Sequence, residues 1–318
     1  MALIAIAADK GAPGVTTTAI ALAAVWPRPV LLAECDPAGG DIVYRLPSDD
    51  GARLDPRRGL LSLAVAARRG LQPGQIWEHA QKLRGGLDVL LGVTTAEQGG
   101  GLEPLWGPVG GVLSALPQAD VIADCGRLGA DGPYYELLAH AAAIVLIIRP
   151  SLGEVVRLRD RAAAVSTAVR KRNGHGGRVG VLVVADHRGF SRALAQVRQA
   201  LGRDNPVSVL GGIAYEPKSA EMLRGEWGGK LDKSLLIRTA REVAGQLAGQ
   251  RATGQSPAAG PAVGPVSAAG PVSAAGPVPA AAAPGPALAQ PSYAAAVRTR
   301  HGGPAGSADV PAAEPGGR

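Results

Sequence analysis

The opening of this chain constrains its fold more than any other feature. An almost wholly apolar run, residues 2–8, leads into Asp9-Lys10-Gly11-Ala12-Pro13-Gly14-Val15, and a helix-forming stretch begins at Thr16. A run without polar alternation does not suit a half-exposed antiparallel strand; it reads as a strand buried on both faces of a parallel sheet. Further runs of this kind lie at residues 30–33, 87–91, 121–123, 143–148, 179–184 and 207–213, with charged, helix-like stretches between most of them. Repeated β-then-α alternation calls for right-handed crossovers. The expected fold class is therefore α/β, a doubly wound, mainly parallel sheet flanked by helices. Ligands bind such sheets at the carboxyl ends of the strands, where Lys10, Glu34, Asp36, Asp124, Pro150 and Asp186 fall. The spacing of Leu235, Leu236, Ile237, Ala240, Val243 and Leu247 predicts a closing helix with one apolar stripe against the core.

Residue usage changes sharply near Gln250, so residues 1–250 and 251–318 are expected to behave differently. The first part has ample Ala, Val, Leu and Ile for one sizeable domain. The second is dominated by Ala, Pro, Gly, Ser and Val, and Gly264-Pro265-Val266-Ser267-Ala268-Ala269 repeats at once as residues 270–275. Such composition predicts a disordered tail, serving as a tether or as an inert extension. No transmembrane segment and no secretory leader is visible, which points to a cytoplasmic protein. Cys35 and Cys125 read as free core thiols. A net charge of +7 permits DNA, anionic lipid or another acidic partner without choosing among them. The histidines show neither metal-ligand spacing nor an evident nucleophile partner.

A Gly-rich turn between a buried strand and a helix offers backbone N–H groups and the positive helix end to an anion. Gly11, Gly14 and the helix opening at Thr16 and Thr17 suit a bound phosphate. In the phosphate-loop pattern G-x-x-x-x-G-K-[ST], Gly14 and Thr16 match, Asp9 replaces the first Gly and Val15 replaces the lysine. Thr16, Asp36 and Asp124 together suggest a metal site. Each aspartate alone could equally be a helix cap or a solvated loop carboxylate.

Lys10-Gly11-Ala12-Pro13-Gly14-Val15-Thr16-Thr17 resembles the deviant Walker A motif of the ParA/MinD family of P-loop ATPases, K-G-G-x-G-K-T-T, and keeps its signature first lysine. Val30-Leu31-Leu32-Ala33-Glu34-Cys35-Asp36-Pro37 resembles the family's switch I strand, with Glu34 where the first Asp is usual. Asp120-Val121-Ile122-Ala123-Asp124-Cys125-Gly126 resembles its Walker B strand. Gly86-Leu87-Asp88-Val89-Leu90 and Asp124-Cys125-Gly126-Arg127-Leu128 are most similar to the CpaE/TadZ-like pilus-assembly branch.

The resemblance implies a domain that binds ATP and Mg²⁺ and forms a homodimer around the nucleotide. Residues 10–17 would hold the phosphates, and Asp186 and Pro217 would flank the adenine, although either could instead be structural. Thr16 would bind Mg²⁺ through its hydroxyl and Asp124 through water. Asp36 would position the attacking water or the metal shell, and Lys10 would reach the phosphates across the dimer. Val15 removes the in-loop cation, so weak or absent hydrolysis is expected.

The expected function is a positioning or pilus-assembly protein that recruits a protein partner, in the cytoplasm or peripherally at the inner face of the membrane through that partner. One alternative is a non-hydrolysing pseudo-ATPase scaffold. The other is a DNA-segregation ATPase gripping DNA non-specifically through Arg157, Arg161, Arg170, Lys171, Arg172 and Arg178.

Overall fold

The computed structural model of the protein describes residues 1–249 except 12, 68–69, 203–206 and 225–229. The expected tail, residues 251–318, lies outside the described residues, as do Ala12 and Gln250.

Eight strands form one sheet: β1 (Leu3–Ala8), β2 (Val30–Glu34), β3 (Gln81–Lys82), β4 (Asp88–Leu90), β5 (Asp120–Arg127), β6 (Ala143–Ile148), β7 (Val179–Ala185) and β8 (Ser208–Ala214). Their spatial order is β3-β4-β2-β5-β1-β6-β7-β8. All neighbours pair in parallel except β3, which runs antiparallel to β4 at the edge. The connecting helices are α1 (Val15–Ala24), α2 (Ile42–Arg45), α3 (Leu60–Ala67), α4 (Ile76–His79), α5 (Ala96–Gly100), α6 (Trp106–Ser114), α7 (Tyr135–Ala139), α8 (Leu152–Asn173), α9 (Phe190–Leu201), α10 (Pro217–Leu223) and α11 (Leu235–Gly249).

Strand alternation divides the core into two layers, because successive side chains point to opposite faces. Leu3, Ala5 and Ala7 of β1 pack with residues of α3, α4, α6, α7, α8 and α9. Ile4, Ile6 and Ala8 pack on the other face with α1, α2, α10 and α11. The sheet is thus doubly wound, as its unalternating apolar strands require. The seven apolar runs all form strands and the stripe at Leu235–Gly249 closes the fold. The edge strand β3 was missed because Gln81–Lys82 is two residues long and polar. Among the described residues no helix is long and apolar enough to cross a membrane.

At the amino end of β5, away from the strands' carboxyl ends, one buried carboxylate joins the start of β1 to the segment between α1 and β2. Asp120 accepts from the Ala2 backbone N–H at 2.8 Å, Trp26 Nε1 at 2.9 Å and Arg28 Nε at 2.8 Å. Arg28 also reaches the Ala248 carbonyl of α11 at 3.4 Å. Removing the acceptor would leave the Ala2 amide and the Trp26 indole N–H buried without this partner. Asp120→Ala should therefore lower the unfolding free energy by about 3 kcal/mol in urea titrations, with Asp120→Asn losing less. A loss below about 1 kcal/mol would show that the clasp is not structural.

Candidate functional site

β1 delivers the chain to the centre of the sheet's carboxyl edge, and two glycines bend it there. Gly11 has φ 71° and Gly14 φ 99°, values that side-chain-bearing residues rarely adopt. Among the described residues nothing lies within 4 Å of where a Cβ would stand at either position, so the loop faces open space there. Gly14 is the N-cap of α1 and supplies no side-chain cap. The first-turn amides of α1 are thereby left to an outside acceptor, the arrangement that binds phosphate when a glycine turn accompanies it. Val15 is buried in the core with Ile6 and Ala8. The side chain at the usual lysine position therefore belongs to the packing and brings no charge. Lys10 is exposed.

Three carboxylates gather beside the loop. Asp124, at 1% exposure, lies within β5, which runs on to Arg127, and accepts from the Gly126 N–H at 3.1 Å. Burial pushes its pKa up to about 6, while the Thr16 hydroxyl, within hydrogen-bonding reach, stabilises the ionised form. Asp36 is half-buried and lies against Gly126, where a Cβ would collide with its carboxyl group. It accepts from the Ala38 N–H at 2.8 Å, and burial raises its pKa while Arg127 opposes the rise. Asp36 and Asp124 repel each other enough to raise the latter's pKa further. The structure thus brings Thr16, Asp36 and Asp124 together.

Glu34 pairs in register with Asp124 across β2 and β5. Its carboxyl group accepts from Ile42 N–H at 3.0 Å and Gly92 N–H at 2.9 Å. Gly40 and Gly92 leave no room for a Cβ against it. Glu34 therefore fastens the loop before α2 to the end of β4, a role that its place in the sequence did not disclose. Burial pushes its pKa up to about 7.

On the other side of the loop a cavity of about 240 Å³ opens between Pro13, Gly14 and Thr17 and the group Arg149, Tyr215 and Pro217. Pro217 lines it, but Asp186 is not on its wall and instead accepts from the Arg188 N–H at 3.0 Å, capping a short 3₁₀ turn. The Arg149 guanidinium stacks 4.7 Å from the centre of the Tyr215 ring. Neither residue was singled out from the sequence; the only signal was their position just after β6 and β8.

The basic face of α8 is partly taken up within the molecule. Arg161 pairs with Asp9 at 3.1 Å and donates to the Leu128 carbonyl at 2.9 Å. Arg172 pairs with Asp131 at 2.8 Å and Glu136 at 2.9 Å. Arg170 and Lys171 are exposed. Ser62 Oγ lies 2.8 Å from His79 Nδ1, a contact between distant segments that the sequence did not reveal. That hydroxyl also bonds the Gly59 backbone at the start of α3, which gives it a capping role. Burial pushes the Cys125 thiol up to about 12, as expected of an inert core cysteine. Among the described residues no group of three or more His, Cys, Asp or Glu could hold a metal ion. The Thr16, Asp36 and Asp124 set instead suits Mg²⁺, which commonly takes one or two carboxylates and completes its shell with water and substrate phosphates.

A parallel sheet with this loop after its central strand, wrapped by helices on both faces, has the fold of P-loop nucleoside triphosphatases of the ParA/MinD type. It is similar to a ParA family ATPase from Chlorobium tepidum, at 18% identity over 76% of this chain and 98% of that one, with TM-score 0.57. An ATP complex of a Cyanothece McdA variant matches at 15% identity over 78% of this chain and 96% of that one, with TM-score 0.57. MinD from Pyrococcus horikoshii OT3, complexed with Mg-ADP, matches at 17% identity over 79% and 99%, with TM-score 0.55. No protein-family model and no curated protein matches the chain. At these identities the likeness establishes the fold.

The buried carboxyls predict an unusual pH dependence without nucleotide or Mg²⁺. The folded pKa of Glu34 lies above its unfolded value, so its contribution to stability is full in acid and is lost as pH rises toward and through about 7. Relative to Glu34→Gln, wild type should lose about 1–3 kcal/mol of stability between about pH 5 and pH 8 in urea unfolding. A difference that grows in wild type's favour as pH rises would contradict the buried, proton-retaining Glu34.

Proposed function

We propose that residues 1–250 form a ParA/MinD-like nucleotide-binding domain that takes ATP with Mg²⁺, dimerises around it and recruits a protein partner of a positioning or pilus-assembly complex. The observation that carries it is the convergence of the left-handed Gly14, the uncapped start of α1 and the Thr16, Asp36 and Asp124 cluster on one open space beside a cavity.

The backbone N–H groups of Gly11, Gly14, Val15, Thr16 and Thr17 would hold the β- and γ-phosphates. Thr16 would hold Mg²⁺ directly and Asp124 through water, and the ion, once bound, would neutralise phosphate oxygens. Asp36 is suited to orienting a water molecule or the metal shell, being half-buried and fixed by the Ala38 amide. Lys10, exposed at the start of the loop, is available to a second copy of the chain. Pro217 would border the base, and the placement of Asp186 supports a capping role better than a base contact.

The buried Val15 favours a second reading, a pseudo-ATPase scaffold whose partners bind whatever the nucleotide state. A lost charge-assisted hydrogen bond costs about 1.5–3 kcal/mol, or roughly tenfold to a hundredfold in affinity, which leaves binding attainable at millimolar nucleotide. Hydrolysis depends on stabilising charge in the transition state and should be weak or absent. Non-specific DNA binding gains less support, because Arg161 and Arg172 are engaged internally.

Titration of the full chain with fluorescent ATP and Mg²⁺ should show saturable binding, weakened by about tenfold in Thr16→Ala and in Asp124→Asn. Light scattering on the same samples should show nucleotide-dependent dimers. No binding at millimolar ATP would overturn the nucleotide reading and leave the scaffold.

A further inference from the structure

With Val15 in the core, the usual lysine position of the loop carries no charge, and the cavity bordered by Gly14 and Thr17 shows which charged groups stand across from the loop. Lys10 lines a different cleft, shared with Glu154 and Arg157 along α8, and is absent from the wall of the cavity beside Gly14 and Thr17. Arg149 is on that wall. Its place follows from the sheet: β6 pairs with β1 in the register Ala7↔Leu146. Extending that register past the strand ends brings Arg149 level with Lys10, on the neighbouring chain segment. The other charged groups on the wall, Glu216, Glu221 and Arg224, belong to the segment after β8 that also carries Tyr215.

Two nearby carboxylates accept from backbone amides. Glu154 accepts from the Arg149 backbone N–H at 2.7 Å, and Glu216 accepts from the Leu236 N–H at 3.1 Å. Among the described residues no salt bridge engages the Arg149 guanidinium. It rests instead on the Tyr215 ring, 4.7 Å from the centroid. Such a stack holds a guanidinium in place while leaving its N–H edge open to an acceptor. Arginine suits this task because its planar fork matches phosphate oxygens bidentately.

We propose that Arg149, held by Tyr215, is a phosphate-binding residue that supplies from β6, within one chain, part of the charge that Val15 does not. The ligand class is a nucleoside di- or triphosphate, and the inference rests on the nucleotide-binding reading above. It differs from that reading in naming a cation outside the loop and outside the motif.

The test uses the full chain and Mg-ATP, with Arg149→Gln, Arg149→Lys and Tyr215→Ala, over a range of salt concentrations. Arg149 is exposed, so each Arg149 variant should keep the wild-type urea midpoint. Arg149→Gln should weaken ATP by about tenfold or more and flatten the salt dependence of binding, because a phosphate–cation contact is screened by salt. Arg149→Lys should recover part of the affinity, and Tyr215→Ala should lose affinity while retaining the salt dependence. Wild-type affinity in Arg149→Gln would overturn this inference and leave the nucleotide reading standing. Weakened binding with an unchanged salt slope would also overturn it, by showing that Arg149 acts through packing. Absence of ATP binding in wild type itself would overturn both.

Discussion

Hydrogen bonding of β1 along both edges, to β5 on one side and β6 on the other, is the constraint on which the site depends. A strand held on both sides cannot slide without moving every side chain to the wrong face of the sheet. Its carboxyl end therefore delivers residues 9–14 to a fixed point, and the flanking strands deliver Asp124 and Arg149 to either side of that point. The glycines that turn the loop matter because the strand before them is immobile. Gly14 converts a buried strand into an open helix start within a few residues.

Acidic groups at the carboxyl edge are stabilised by the backbone more than by cations. Glu34, Asp36 and Asp124 each accept backbone N–H groups, yet burial still raises the pKa of all three. Desolvation outweighs the hydrogen bonds, so all three hold their protons more readily than an exposed carboxyl does. Glu34 is set apart by its enclosure between Gly40 and Gly92, which makes it a structural fastening for the segment that carries Asp36.

Most of the fold was legible because unalternating apolar runs have few places to go in a folded chain. The loop and its two aspartates were legible because glycine spacing and strand-end acids are local signals. What escaped notice depends on contacts between distant residues. The engagement of Glu34 by Ile42 and Gly92, the meeting of Ser62 and His79, and the stacking of Arg149 on Tyr215 leave no trace in spacing. Arg157 and Arg161 look like a free basic face in sequence, and only the fold shows both within ion-pairing distance of Asp9. Val15 is a related case: its identity removes a charge, but only its burial shows that the side chain has joined the core.

The central claim is that the turn after β1 binds phosphate through its backbone although it lacks the lysine. Hydrogen–deuterium exchange of the amides at Gly11 and residues 14–18, with and without millimolar Mg-ATP, addresses that claim directly. Slowed exchange at this loop and the first turn of α1 is the predicted result. Identical exchange in both conditions, with the rest of the domain equally unchanged, would contradict it.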